Sequence, residues 1–475
     1  MNLIPKPPSL RIDEKDPFSS DTFDLQEFAD ALSGLIAKSP ESFVINLEAP
    51  WGQGKTTFLQ MWRHRLRRDH VQSLYFNAWE SDFSRDPLIA LIGELSAGMA
   101  AMRIQADSPA WAQLAKLKKV GARVVVRALP ALIKAGTLGV LDLSEPLEEV
   151  VACASEKLAE DEIQRYQDAK QSISDFRREL ETFATQLAAE NGSAAPLVIV
   201  VDELDRCRPD YAISILETVK HLFTVPSVVF VVATDSRQLS NAIRHVYGLD
   251  AAASDYLRRF FDLAISLPKP SARQFVEALF ARHGLEEFFE NRKHLELRFD
   301  RDQAVAAFVA MFEATNCSLR DQQKCAVLFT ISLRTMQENS YLHPLLLCTL
   351  VVLRVKRNDL YERFVSGEIG AKDLVDELSQ STAGRSYFES PSGYGAPTLA
   401  HLIVSVQSRE KRRADEAWLR ERAEADEKSA DAELARRALE IIQHSSFRNA
   451  RGALRHILPR LEFISRQTRQ DDDSF

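Results

Sequence analysis

The chain has 475 residues, of which 45% are hydrophobic and 27% charged, and 60 Lys plus Arg against 68 Asp plus Glu give a net charge of -8. This composition indicates one large or two ordinary globular domains, and it excludes collagen-like, low-complexity and wholly disordered proteins. The mild acidity argues against a protein that coats nucleic acid through its overall charge, and the sequence contains no nuclease or nucleic-acid reader motif.

The cysteines and the first residues bear on the cellular compartment. The five cysteines form no C-x-x-C pair and have no histidines at zinc-ligand spacing, so reduced and mostly buried thiols are expected. Residues 1–18 contain no apolar run typical of a signal peptide. We therefore expect a cytoplasmic protein.

The chain alternates predicted strands and helices. A helix capped by Ser20 and Asp21 is predicted before the first strand. Five apolar or β-branched runs predict strands, and their lack of alternation is typical of strands buried on both faces of a parallel sheet. The sequence thus predicts an α/β fold with a parallel five-stranded sheet, its strands at residues 43–47, 73–77, 196–201, 227–233 and 261–267.

A phosphate-binding loop is predicted between the first strand and the helix that follows it. Gly52 and Gly54 let the backbone approach an anion, Lys55 supplies charge for the outer phosphates, and the Thr56 hydroxyl can ligate Mg2+. Ala49 replaces the first Gly of the pattern G-x-x-x-x-G-K-[ST], which predicts some strain where the loop starts. The alternative is a glycine-rich turn carrying a surface lysine. The predicted nucleotide-binding residues are Ala49, Pro50, Trp51, Gly52, Gln53, Gly54, Lys55, Thr56 and Thr57.

Residues 100–192 follow a helical pattern and predict a helical insertion within the α/β unit. Inside the insertion, residues 116–134 place basic side chains on one side of a helix and apolar side chains on the other. This stripe indicates a solvated helix face packed on the protein's own core, or attachment to the inner membrane surface or to an acidic protein partner. Three basic residues within residues 120–143, Arg123, Arg127 and Lys134, make membrane spanning unfavourable.

Acidic and polar residues end the third and fourth predicted strands, where open α/β sheets hold their ligands. Asp202 would bind Mg2+, and Glu203 would orient and deprotonate an attacking water. The alternative is a charged strand end that caps the next helix. Thr234 and Asp235 are candidate sensors of the γ-phosphate, or else part of an ordinary strand-to-loop transition.

Two arginines, Arg258 and Arg259, precede the last predicted strand. Either could reach a phosphate on a neighbouring subunit, where an arginine stabilises transition-state charge. Surface salt bridges are the alternative. Residues 271–475 then predict an all-helical region that ends in a polar tail. The charged segment at 408–437 predicts a helix that faces solvent or binds a partner.

These motifs together resemble the KAP family of P-loop NTPases over residues 15–270. The resemblance rests on four runs: Ala-Pro-Trp-Gly-Gln-Gly-Lys-Thr at 49–56, Phe-Asn-Ala-Trp at 76–79, Val-Asp-Glu-Leu-Asp-Arg-Cys at 201–207 and Tyr-Leu-Arg-Arg at 256–259. It implies an NTPase core in which one additional strand separates the phosphate loop from the acidic strand. Family members are often membrane proteins, and the bacterial ones resemble phage-exclusion and defence proteins.

The leading hypothesis is an ATP- and Mg2+-dependent hydrolase, acting as a homo-oligomer, that couples its nucleotide state to conformational change or assembly. Its catalytic residues would be Glu203, Lys55, Arg259 and Thr234, with Thr56 and Asp202 on the metal. A slow nucleotide-regulated signalling scaffold is the alternative. A small-molecule kinase fits poorly with the long insertion, and the absence of an N-K-x-D or T-K-x-D segment disfavours a GTPase.

Overall fold

Two compact units divide the chain, one spanning Leu10–Pro268 and the other including Lys269–Phe475. The computed structural model describes residues 12–19, 21, 23–37, 41–84, 87–101, 107–127, 156–220, 224–248, 253–292, 297–336, 340–390, 393–425, 429–444 and 452–462.

The first unit is built on one sheet of five parallel strands in the order β2-β3-β4-β1-β5. The predicted α/β fold with a parallel five-stranded sheet is therefore confirmed. One strand, β4, lies between β1 and β3, and it separates the strand before the glycine-rich loop from the strand that ends in Asp202. The strands are β1 Phe43–Glu48, β2 Ser73–Asn77, β3 Leu197–Asp202, β4 Val228–Thr234 and β5 Leu263–Ser266.

Strand register brings the polar strand ends to one edge of the sheet. Glu48 pairs with Thr234 between β1 and β4, and Asn77 pairs with Asp202 between β2 and β3. Since all strands are parallel, the residues that follow these four positions emerge at the same carboxyl edge. The topology thus positions the predicted site.

Helices cover both faces of the sheet, as the uninterrupted apolar strands require. Ile45 and Val200 face a core shared with α1 and α2, whereas Val44 and Val201 face a core shared with α3 to α8. The helices of this unit are α1 Gln26–Ala37, α2 Lys55–Arg68, α3 Pro87–Ala101, α4 Pro109–Arg127, α5 Glu156–Glu190, α6 Pro209–Lys220, α7 Ser236–Tyr247 and α8 Ala253–Arg258.

The described part of the predicted basic stripe lies on α4. Its apolar side chains, such as Leu117 and Val124, are buried in the unit's own core, while Lys116, Lys119 and Arg123 are exposed. This arrangement favours the interpretation of a solvated face on a packed helix. Residues 128–134 of the stripe lie outside the described residues, so attachment to the inner membrane surface or to an acidic protein partner stays a prediction. Among the helices that the structure describes, none is long and apolar enough to cross a membrane.

Only helices occur among the described secondary-structure elements of the second unit. Its core is rich in aromatic side chains and surrounds α13, of which ten residues are buried. The helices are α9 Ala272–Arg282, α10 Leu285–Glu290, α11 Asp300–Ala314, α12 Leu319–Arg334, α13 Pro344–Lys356, α14 Asn358–Val365, α15 Ala371–Leu378, α16 Thr382–Glu389, α17 Gly395–Ser405, α18 Arg409–Ala425, α19 Ala430–Gln443 and α20 Ala453–Leu461.

The charged segment at 408–437 differs from its prediction. It contains α18 and the first part of α19, which pack against each other, and it is not a single solvent-facing helix. Leu419 and Asp415 of α18 are buried. Asp415 accepts hydrogen bonds from the backbone N–H groups of Ala371 and Lys372, at 2.8 and 3.2 Å, and so caps the start of α15. A Cβ on Gly370 would lie 2.7 Å from both oxygens of the Asp415 carboxylate, so glycine permits this approach.

Candidate functional site

The glycine-rich loop has the backbone conformation that its sequence predicts. Gly52 and Gly54 have φ values of 76° and 87°, in the left-handed region where a side chain is strained and glycine is not. Ala49 is outside that region, so the strain predicted where the loop starts does not occur. The backbone N–H of Ala49 donates to Thr234 O at 3.1 Å, which ties the loop to β4.

Helix α2 begins directly after the loop, at Lys55, with Gly54 at its N-cap. Glycine has no side chain to accept hydrogen bonds from the first-turn N–H groups, and no side-chain cap is present. Those donors and the positive end of the helix dipole therefore face the loop. Uncapped N–H groups beside left-handed glycines form an anion-binding cradle.

The Lys55 ammonium connects this cradle to the acidic end of β3. Its side chain is only 9% exposed, and it donates a hydrogen bond to Ala49 O. Its Nζ also lies 3.7 Å from Oδ2 of Asp205, whose side chain is 2% exposed. The loop and the residues after β3 are thus brought together by a buried ion pair.

Asp205 is the centre of a hydrogen-bond network that joins three segments. It lies in a short 3-10 turn, Leu204–Arg206, and its Oδ2 accepts hydrogen bonds from the Trp51 indole and from the backbone N–H of Asp235. Asp235 in turn accepts the Trp51 backbone N–H and caps α7 through Arg237 N, both at 3.1 Å. The network links the loop, the 3-10 turn and the start of α7.

Asp202 is the last residue of β3, and its fully buried side chain is hydrogen-bonded to β2. Its Oδ2 accepts the Tyr75 hydroxyl at 2.9 Å and its Oδ1 accepts the backbone N–H of Glu203 at 2.8 Å. Burial raises the pKa of Tyr75 well above its usual value, and the Asp202 carboxylate adds to that effect, so the tyrosine is a donor. Among the described residues, the Asp202 carboxylate accepts its hydrogen bonds from Tyr75 and Glu203 and not from the loop.

Glu203, the predicted water-activating residue, has a strained backbone and restrained side chain. Its φ of 59° is left-handed, a conformation that costs about 1 kcal/mol or more for a residue other than glycine. Its carboxylate lies 2.6 Å from Nη1 of Arg206 and shares a hydrogen bond with the Asn77 side chain. Burial raises the pKa of Glu203, and the Arg206 guanidinium opposes the rise.

The other predicted residues lie in different settings. Thr56, in the first turn of α2, is partly exposed, and Thr57 is exposed. Thr234 is fully buried at the end of β4, and its hydroxyl donates to Asn46 Oδ1 at 2.7 Å. It therefore lies at the correct edge but faces β1.

The structure does not bring Arg258 and Arg259 to the loop of the same chain. Arg258 forms an exposed ion pair with Asp255, at 3.3 Å, and Arg259 is exposed. Both precede β5, and the backbone N–H of Asp262 bonds to Val44 O at the start of β1. The arginines thus lie toward the amino edge of the sheet, opposite the loop.

The donors at the carboxyl edge fit a Mg2+ ion that arrives with phosphates. Mg2+ prefers oxygen ligands and keeps several waters, and the edge offers the Thr56 hydroxyl and the Asp202 carboxylate. Each Asp202 oxygen accepts one hydrogen bond and so retains a lone pair. Within the described residues, no group of three or more His, Cys, Asp or Glu side chains could hold a metal by itself.

Sequence reasoning assigned no role to Asp205, Arg206, Tyr75 or Asn77. Asp205 and Arg206 stand in the run at 201–207, and Asn77 stands in Phe-Asn-Ala-Trp, so the motifs contained the signal. Their partners lie far away in the chain, and only the folded sheet shows the contacts.

Comparison with protein families agrees with this geometry. A model described as the KAP family P-loop domain matches residues 25–338, about two thirds of the chain. The match extends beyond the first compact unit into the helices of the second. No curated protein matches the chain.

Proposed function

The chain belongs to the KAP family of P-loop NTPases, and from this membership and the site we propose that it binds ATP with Mg2+ and hydrolyses it. The nucleotide state would then control a conformational change or assembly. A setting in phage defence, which the sequence resemblance implies, stays a prediction.

The observation that carries the proposal is the buried pair of Lys55 and Asp205, 3.7 Å apart. This pair joins the glycine-rich loop to the residues that follow β3, and it supports the proposal that an anion cradle and the acidic end of β3 form one site. An anion site beside carboxylates is what a metal-bound polyphosphate needs, because the N–H groups and lysine bind the phosphates while oxygen ligands hold the metal.

Each predicted residue of the site would have a separate role in binding or hydrolysis. The loop N–H groups and Lys55 would bind the phosphates, and Thr56 and Asp202 would hold Mg2+, directly or through water. The ion supplies charge neutralisation between the phosphate oxygens. Glu203 would orient a water and take its proton, for which its raised pKa suits it better than an ordinary carboxylate. Thr234 would sense the γ-phosphate from the end of β4.

Two variants test this assignment. Lys55→Ala should abolish tight ATP binding, since it removes the positive charge that faces the phosphates. Glu203→Gln should keep ATP bound and lower turnover by about 10²–10⁴-fold, the usual contribution of a general base. Isothermal titration and phosphate release, measured on the same purified samples, give both quantities.

Exposed residues of the same unit provide the controls. Lys118→Ala on α4 and Glu80→Gln after β2 make the same chemical changes on exposed side chains and should leave binding and turnover unchanged. Undiminished ATP affinity in Lys55→Ala would contradict the loop assignment. Normal turnover in Glu203→Gln would reject Glu203 as the base.

One observation favours a second candidate, a slow nucleotide-regulated scaffold. Glu203 is held by Arg206 and Asn77, and a base engaged in an ion pair is less available to deprotonate water. A scaffold would show ATP-dependent assembly with turnover far below about 1 s⁻¹, the low end of ordinary enzymes. Sizing the protein with and without Mg-ATP, while following phosphate release, separates the two functions.

A further inference from the structure

We infer that Asp205 competes with bound polyphosphate for the Lys55 ammonium, and that Trp51 reports the exchange. The inference rests on the proposed function, because it states that Lys55 exchanges the Asp205 carboxylate for a phosphate when the polyphosphate binds. It assigns Asp205 as a positioning residue that sets nucleotide affinity.

Burial makes the Lys55–Asp205 pair mutually dependent. With side chains 9% and 2% exposed, neither group is fully solvated, and removing one partner would leave the other charge buried and uncompensated. Asp205 Oδ2 also accepts two hydrogen bonds, from the Trp51 indole and Asp235 N. The carboxylate is therefore held in place, while the lysine has the long flexible stem that can move.

A polyphosphate bound to the same ammonium would face Asp205 across a short distance. Two like unit charges about 4 Å apart repel by about 4 kcal/mol where the effective dielectric constant is about 20. The Asp205 carboxylate therefore opposes phosphate binding as long as the Lys55 ammonium stays paired with Asp205. The carboxylate then weakens polyphosphate binding, and its charge is the cause.

Trp51 is the residue placed to register the exchange. Its indole donates to Asp205, and its backbone N–H donates to Asp235 at 3.1 Å. Since Asp235 caps α7, the start of that helix is connected to the same carboxylate. A change at Lys55 alters the environment of the Trp51 indole, which fluorescence measures.

The first experiment uses Asp205→Asn in the full chain, which keeps the shape and an acceptor oxygen but removes the charge. Sodium tripolyphosphate without Mg2+ and ATP with Mg2+ are the probes, and isothermal titration measures the affinity. We expect both probes to bind about tenfold more tightly to Asp205→Asn than to the unsubstituted protein, equivalent to about 1.4 kcal/mol. Asp210→Asn, an exposed aspartate at the start of α6, is the matched control and should change neither affinity.

The outcomes separate this inference from the proposed function. If the unsubstituted protein binds neither probe, the proposed function fails and the inference fails with it. If it binds both and Asp205→Asn binds them equally or more weakly, only the inference is overturned. Weaker Mg-ATP binding with unchanged Mg-free tripolyphosphate binding would instead make Asp205 a metal ligand.

A second measurement covers the case in which Asp205→Asn does not fold. Tripolyphosphate should change the tryptophan fluorescence of the unsubstituted protein. Trp51→Phe, compared at a tripolyphosphate concentration that saturates it in a separate calorimetric titration, should lose most of that change. An equal fluorescence change in Trp51→Phe would overturn the inference, because the signal would then come from the other tryptophans.

Discussion

Glu203 combines a left-handed backbone, an ion pair with Arg206 and a carboxyl pKa raised by burial. The Arg206 guanidinium also lies 5.9 Å from the centre of the Trp79 ring. These contacts hold the carboxylate against Arg206, and a base must be released from such a pair before it can accept a proton. Arg206 therefore restrains Glu203.

Replacing Arg206 tests this restraint. Arg206→Ala should raise turnover several-fold at alkaline pH, because Glu203 is no longer paired. It should also shift the acidic limb of the rate profile to higher pH, since Arg206 lowers the Glu203 pKa while burial and Asp202 raise it. Phosphate release measured across pH 5–9, with the exposed Arg237→Ala as control, gives both effects. A slower Arg206→Ala enzyme with an unmoved profile would contradict the restraint.

At the scale of single residues, the sequence predicted backbone conformations that depend on neighbouring residues. It did not predict contacts between residues that are far apart in the chain. The left-handed positions of Gly52 and Gly54 follow from neighbouring residues, because only glycine adopts them without strain. The bond from the Trp51 indole to Asp205 spans 154 positions in the chain, and the Tyr75–Asp202 bond spans 127. Such contacts depend on strand order, which no local pattern specifies.

Among the elements, the five strands were predicted within two residues at each end, because buried parallel strands have uninterrupted apolar runs. The largest difference is at β5, predicted at 261–267 and observed at Leu263–Ser266. Within the described ranges this edge strand pairs with β1 alone, over four residues, and Phe261 packs against the core beneath the sheet. Apolar character alone therefore overestimated its length.

The buried cap between α18 and α15 gives a stability prediction. Asp415→Ala removes the acceptor for the N–H groups of Ala371 and Lys372, and buried donors without partners cost about 1–3 kcal/mol. Urea unfolding should show a loss of this size, and hydrogen exchange should accelerate at these two amides. Glu421→Ala, an exposed acid on the same helix, should change neither. Unaltered exchange at Ala371 would show that the cap does not stabilise α15.

The two helices at 408–437 show how a charged pattern hides a buried face. Alanine is small enough to pack between helices, and three of the four buried residues of α19 are alanines, Ala432, Ala435 and Ala438, beside the single buried Leu434. The density of charge therefore concealed the packing from sequence reasoning.

At the scale of the whole molecule, the second unit has its own core and its own pH dependence. Burial lowers the pKa of both His343 and His401 to about 4. Their ring centres lie 5.6 Å apart. An unfolded histidine titrates near pH 6.5, so the unfolded chain binds protons first as pH falls. The part of the free energy of unfolding that depends on these two neutral histidines is complete above pH 6.5 and declines progressively as the pH falls toward 4.

Lowering the pH from 7 to 5 should therefore cost up to about 2 kcal/mol per histidine. A double variant, His343→Asn with His401→Gln, should lose less stability over this interval, and asparagine tolerates the left-handed φ of 47° at position 343. Urea unfolding at both pH values measures the difference. Burial raises the pKa of Asp300 to about 6, so its protonation in the folded state increases the free energy of unfolding as the pH falls. This opposite effect is the same in both proteins. Equal losses in the two proteins would exclude the histidines as the cause.

Mixing two inactive chains tests whether Arg259 acts on a neighbouring subunit. Arg259→Ala retains an intact loop and Lys55→Ala retains Arg259, so their mixture should recover part of the ATP hydrolysis. A chain carrying both changes should rescue neither variant. Phosphate release that stays at the level of the separate variants would count against action between subunits.

The position of Arg259 also restricts how copies of this chain could assemble. The arginine lies toward the amino edge of the sheet and the loop at the carboxyl edge, so an arginine that reaches a neighbour's loop must bring the amino edge of one sheet to the carboxyl edge of another. Such contacts either run head to tail, in a closed ring or an open filament, or pair two chains antiparallel about a two-fold axis. A dimer that faces its two carboxyl edges together would leave both arginines remote from the phosphates.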